Sequence, residues 1–97
     1  MPREADLQRR IIEALEREGA YVVRVTVAGR AGAPDLICCH GGRFIAFEVK
    51  TPTGRVSKAQ VHEAARITAA GGAGFVVRSV ADAVACLRSE VSERYET

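Results

Sequence analysis

Residues 34–50 read PDLICCHGGRFIAFEVK, and their pattern decides how the rest of the chain is organised. Pro34 opens a short apolar run from Asp35 to Cys39, His40-Gly41-Gly42 supplies a turn, and Arg43 to Lys50 returns, so the segment is predicted to be a β-hairpin. Side chains in a strand alternate between faces, which puts Phe44, Ala46, Glu48 and Lys50 on one side and Ile45, Phe47 and Val49 on the other. Glu48 and Lys50 therefore project side by side. Asp35 begins the partner strand of the same hairpin, at a distance from Glu48 that the sequence leaves open.

Upstream of the hairpin, apolar residues at Leu7, Ile11, Ala14 and Leu15 predict a helix over 3–18, stopped by Gly19. Tyr21 to Val27 alternates as a half-buried strand would, with Val23, Val25 and Val27 on one side and Arg24 and Thr26 on the other. AGRAGA, residues 28–33, is a loop of small residues. Downstream, TPTGRV (51–56) is a loop. Ser57 caps a helix running to about Ala70, Gly71-Gly72 ends it, and Phe75 to Arg78 is a short buried strand. Ser79 caps a last helix with Val80, Val84, Leu87 and Val91 on one stripe, and residues 91–97 are expected to form a frayed tail. The order αβββαβα predicts an α/β sandwich around a small mixed sheet.

The chain has 97 residues, 47% hydrophobic and 27% charged, which suits one compact domain over residues 1–97 with no room for a second module. Recognition and chemistry are then expected to share that domain. The net charge of +2 allows an anionic partner without pointing to one, although twelve of the fourteen basic residues are Arg, the better bidentate partner for phosphate. Cys38, Cys39 and Cys86 form no CxxC pair and are read as reduced, buried residues. No apolar run approaches the roughly 18 residues of a membrane span, and no signal-peptide pattern opens the chain, so an intracellular, cytoplasmic protein is expected.

Two carboxylates and an ammonium at adjoining strand ends suit hard-cation chemistry. Asp35, Glu48 and a backbone carbonyl could hold Mg²⁺ against a phosphodiester, and Lys50 could align a water and neutralise charge on the phosphoryl oxygens. At about 100° per residue, Glu4 falls inside the arc of Leu7, Ile11 and Leu15. An inward acid there is either a site residue or a partner of the helix dipole. Gln60 shares a helix face with Ala64 and Ile67, where it could donate to the active centre, yet Ser57-x-x-Gln60 is also a capping box. Arg24, Arg30, Arg55 and Lys58 flank the expected site as phosphate contacts or as solvated surface. His40 and His62 have no visible partner for general-base work. The glycine-rich loop lacks a GK[ST] ending and a dinucleotide fingerprint, so no nucleotide cofactor is expected, and no Ser/His/Asp or Cys/His set supports covalent hydrolysis.

GAPDLI at 32–37, EVK at 48–50 and TPTGRVSKAQ through Gln60 together resemble the VRR-NUC domain, the virus-type replication and repair nuclease branch of the PD-(D/E)xK superfamily. The likeness runs from Glu4 to about Leu87. It implies a restriction-endonuclease-like fold in which Asp35 and Glu48 ligate Mg²⁺ or Mn²⁺ with help from the Val49 carbonyl, Lys50 is catalytic, and Glu4 and Gln60 have site roles. It also implies a structure-specific DNA endonuclease. Small stand-alone domains of this kind look like homodimeric Holliday-junction resolvases, and a symmetric dimer can measure a branched shape. A 5′-flap or RNA nuclease and a catalytically silent DNA-binding module of the same fold are the alternatives, and viral, plasmid and chromosomal settings all fit.

Overall fold

In a computed structural model of the chain, which describes residues 4–89, the hairpin forms between β2 (Leu36–His40) and β3 (Arg43–Val49). His40 pairs with Arg43, so the turn is only Gly41 and Gly42, at φ 59° and 78°. A two-residue turn that follows the strand twist needs positive φ at both centres, which glycine adopts without strain. Strand β1 (Tyr21–Arg24) pairs antiparallel with β2, and β4 (Ala73–Val77) runs parallel to β3, giving the order β1-β2-β3-β4. The parallel pair requires a crossover, supplied by α2 (Lys58–Ala69). The predicted mixed sheet and αβββαβα order are therefore present.

Helices α1 (Glu4–Arg17) and α3 (Val80–Ser89) pack against each other and on one face of the sheet, while α2 lies over β3 and β4 on the other. The first face carries the core. Leu7, Ile11 and Leu15 from α1 and Ala83 and Leu87 from α3 meet Leu36, Cys38, Ile45, Phe47, Val49 and Val77. Phe47 stacks on Phe75 across the parallel pair, ring centroids 5.9 Å apart. Burying such side chains contributes about 1.5–3 kcal/mol each, which makes this layer the main source of stability. The second face is closer-packed and poorer in large side chains. A Cβ on Gly74 would stand 3.2 Å from the Ala64 Cα, so small residues let α2 approach β4 closely.

Several sequence expectations shift. Strand β1 ends at Arg24, not Val27, because β2 begins only at Leu36 and the ladder continues just one step further, from the Val25 N–H to the Asp35 carbonyl (2.8 Å). Its phase is also inverted. Val22, opposite buried Cys38, packs on the core, whereas Val23 faces outward and Val27 is 90% exposed. Cys39 is exposed because it sits on the second face, beyond the reach of α2. In α3 the buried residues are Ala83 and Leu87, with Val80 and Cys86 partly buried against the core. Val91 and the expected tail lie outside the described residues.

Candidate active site

Three residues of the hairpin reach its open end together. Asp35 precedes β2, and its N–H donates to the Phe47 carbonyl (3.0 Å). Its carboxylate turns across to β3, where Oδ2 accepts the Val49 N–H (2.8 Å). That contact holds the Asp35 side chain against β3 next to Glu48, a placement the sequence left open. Lys50 follows immediately, held through its N–H to the Val77 carbonyl (3.0 Å), with Nζ 3.4 Å from Glu48 Oε2. The Lys50 side chain is only 13% exposed, so the ammonium is confined to this site rather than spread into solvent.

Gln60 makes the hydrogen bonds of both arrangements open to it, the cap and a bond to Glu48. Its Oε1 accepts the Ser57 N–H (2.9 Å) and Ser57 Oγ accepts the Gln60 N–H (3.1 Å), completing the capping box. Its Nε2 donates to Glu48 Oε2 at 2.8 Å. The amide has no freedom to flip, because a backbone N–H can face only the oxygen end, which leaves the NH₂ for the carboxylate. The start of α2 is thus bonded directly to the acid of β3.

Glu48 is buried among Ala46, Gly74 and the face of α2. Burial pushes its carboxyl up to about 7, helped by the neighbouring Asp35 carboxylate and opposed by Lys50. Oε2 is occupied by Gln60 and Lys50, but Oε1 is buried with no hydrogen-bond partner. A buried carboxylate oxygen in that state is costly unless a cation or proton completes it. Asp35 also retains an oxygen beyond its bond to Val49. Both donors are hard oxygens, the set that Mg²⁺ and Mn²⁺ accept, so the site fits such an ion. Among the described residues no three of His, Cys, Asp and Glu gather as a group that could hold a metal ion. Glu4 is half-buried in the first turn of α1, with Gln8 donating to it (3.5 Å). That turn lies toward the same end of the sheet, since α1 runs back over the strands from the short link into β1.

Arg24, Arg55 and Lys58 are exposed, Arg24 at the end of β1 opposite Leu36, Arg55 in the loop after Lys50 and Lys58 at the start of α2. Arg30 is not a free cation. It forms a two-pronged pair with Glu63 of α2, Nε to Oε1 at 3.0 Å and Nη2 to Oε2 at 3.1 Å, tying the 25–34 loop to the helix. His62 is exposed as expected, and His40 has a partner after all, its Nε2 lying 3.2 Å from the Glu18 carbonyl oxygen. The sequence reading missed Glu63 and Arg78. Glu63 had a signal, an acid three residues past Gln60 on the inward face. Arg78, whose guanidinium reaches the turn after Lys50, had none.

Comparison with known proteins adds three findings. The family model described as archaeal Holliday junction resolvase (Hjc) matches residues 2–73. A solved VRR_NUC domain is 28% identical, with a TM-score of 0.70 over 95% of this chain and 97% of that one. Archaeoglobus fulgidus Hjc, described as a Holliday junction resolvase from an archaeal hyperthermophile, has the same fold, with a TM-score of 0.63 and 22% identity over 77% of this chain and 67% of that one. A sequence comparison with curated proteins finds no match.

Proposed function

Because the chain belongs to the archaeal Holliday junction resolvase family, we propose that it is a metal-dependent DNA endonuclease that cuts branched DNA, four-way junctions above all, as a homodimer with one site in each subunit. Its class as a structure-specific nuclease of the PD-(D/E)xK superfamily follows from the family and from its VRR_NUC structural neighbour. The observation that carries the finer reading is the convergence of Asp35, Glu48, Lys50 and Gln60 around a buried, unpartnered carboxylate oxygen.

Asp35, Glu48 and the Val49 carbonyl would hold Mg²⁺ or Mn²⁺, which when bound polarises the phosphodiester and makes water a better nucleophile. The protein residues do the rest. Gln60 holds Glu48 by one oxygen and leaves the other facing the site. The Lys50 ammonium lies where it can orient the attacking water and neutralise charge growing on the phosphoryl oxygens. The water oxygen bonds to phosphorus as one ester P–O bond breaks, the water gives up its proton, and the departing sugar oxygen takes one. Glu4 acts as an outer acid through bridging water, given its place at the site end of α1. Arg24, Arg55 and Lys58 bind phosphates on either side, and Arg30 shapes the adjoining loop through Glu63. Pairing of two chains is supported by an uncovered apolar stretch on the α2 side of the sheet, with Tyr21 71% and Phe44 46% exposed.

The test is cleavage of four-way junction, 5′-flap, linear duplex and RNA substrates with Mg²⁺, Mn²⁺ or EDTA. Metal-dependent nicking of the junction by the wild type, lost in Asp35→Asn and in Lys50→Ala, is expected. Variants that cleave as well as the wild type would overturn the site. Light scattering with junction DNA tests the dimer, and a monomer would remove the two-site scheme.

A further inference from the structure

We propose that Arg78 is a positioning residue of this site, pinning the turn that follows Lys50 and so holding the Lys50 ammonium in place, an inference that rests on the nuclease reading above. Arg78 stands just past the end of β4. Its Nη1 donates to three carbonyls of one turn, Thr51 (2.7 Å), Gly54 (2.8 Å) and Pro52 (3.3 Å). The turn itself is closed by the Gly54 N–H to the Thr51 carbonyl (3.0 Å), with Pro52 in the second position where its fixed φ suits it. Three carbonyl dipoles aimed at one point repel one another, and the guanidinium charge is what makes their convergence favourable.

Lys50 is gripped on both sides by the same short segment. Before it, its N–H donates to the carbonyl of Val77; after it, the carbonyl of Thr51 accepts from Arg78. The turn also folds back on the Lys50 side chain, since a Cβ on Gly54 would lie 3.5 Å from Lys50 Cδ and 3.3 Å from Thr51 Oγ1. Movement of the turn is therefore movement of Lys50. The backbone of Arg78 is fixed in turn by Asp82 of α3, whose Oδ2 accepts its N–H (3.0 Å). An arginine this close to the site would ordinarily be assigned to phosphate, yet Nη1 points into the backbone of its own protein. Only that nitrogen is used on the three carbonyls, so an ammonium with its three donors can replace it.

The experiment compares wild type, Arg78→Met and Arg78→Lys on junction DNA with Mg²⁺, separating kcat from KM. Positioning predicts that Arg78→Met loses about tenfold to a hundredfold in kcat, the scale of a misplaced catalytic group, with KM within about threefold. Mn²⁺ binding by calorimetry should be unchanged in that variant, and Arg78→Lys should recover most of the rate. Unchanged kcat in Arg78→Met, or Lys no better than Met, would overturn the proposal. So would a loss confined to KM with a flatter salt dependence, since Arg78 would then be a phosphate contact. If the Met variant melts below the assay temperature, Arg78→Gln, with fewer donors to offer the turn, takes its place and should show an intermediate loss of kcat. A wild type inactive on every substrate would overturn the nuclease reading and this proposal with it, whereas an active wild type matched by Arg78→Met overturns only the proposal.

Discussion

Gln60 joins a helix cap and the buried acid Glu48 through the two ends of one amide, and the two contacts can be separated by substitution. In Gln60→Glu a carboxylate oxygen still accepts the Ser57 N–H, so the capping box survives, but the donor to Glu48 becomes a second negative charge. That variant is expected to keep a helix as stable as the wild type at neutral pH while losing cleavage. Gln60→Ala should lose cleavage and also about 0.5–2 kcal/mol of stability, the usual scale for a lost cap. Thermal melts beside cleavage rates distinguish the two. Glu48 makes a pH prediction. Its carboxyl is raised from 4.5 to about 7 by burial and by Asp35, so the folded protein without metal holds a proton that the unfolded chain releases over that range. Stability from this group is complete below about pH 4.5 and is lost as pH rises through 7. Glu48→Gln should therefore melt above the wild type at pH 8, with the gap closing by pH 5. Metal binding has to displace that proton, so Mn²⁺ affinity should rise with pH to about 8 and then level off, with proton release visible by calorimetry in two buffers. At this scale the sequence was most informative where spacing is short: alternation placed Glu48 beside Lys50, and the S-x-x-Q pattern placed Gln60. Arg78 and Arg30 were opaque because their partners lie 24 to 33 residues away, where only the folded chain brings them together.

Among the elements, the loop over 25–34 is defined by contacts that only its tertiary setting explains. Gly32 has φ 79°, and a Cβ there would stand 2.5 Å from the carbonyl carbon of Ala59 in the first turn of α2. Gly32→Ala must therefore displace backbone as well as adopt a strained φ. A loss of about 1–3 kcal/mol or more is expected for such a position, and chemical denaturation checks it. A fall of less than about 0.5 kcal/mol would mean that the loop and helix part easily. Helix boundaries were legible because caps announce them. Ser57 and Ser79 do cap, the latter accepting the Asp82 N–H (3.0 Å). Strand β1 was misread because valines on both faces of a β-branched run give no phase. Which of Val22 and Val23 turns inward depends on where α1 lies, and that is a property of the assembled sheet.

For the whole molecule, the distribution of cover on the sheet matters most. One face is sealed by α1 and α3, while α2 shields only the β3–β4 half of the other, leaving Tyr21, Val23 and Phe44 open to solvent. If this stretch joins two copies of the chain, Phe44→Glu should lower the dimer fraction in light scattering and leave the melting temperature within a few degrees. A dimer that persists would place the interface elsewhere. No helix among the described residues is long and apolar enough to cross a membrane. The topology also bears on how the site comes into being. Both acids lie at the ends of a hairpin closed by a two-residue turn, a unit that can form in microseconds. Gln60 and Arg78 arrive only when α2 has carried the chain over to β4, a far longer loop to close and correspondingly slower. Before that closure Glu48 lacks the cover of α2 and the Gln60 hydrogen bond that bury it in the folded chain. Its altered proton affinity is thus a marker of the final docking step, and stopped-flow refolding with a pH indicator should register proton uptake near pH 6 in the last phase rather than the first.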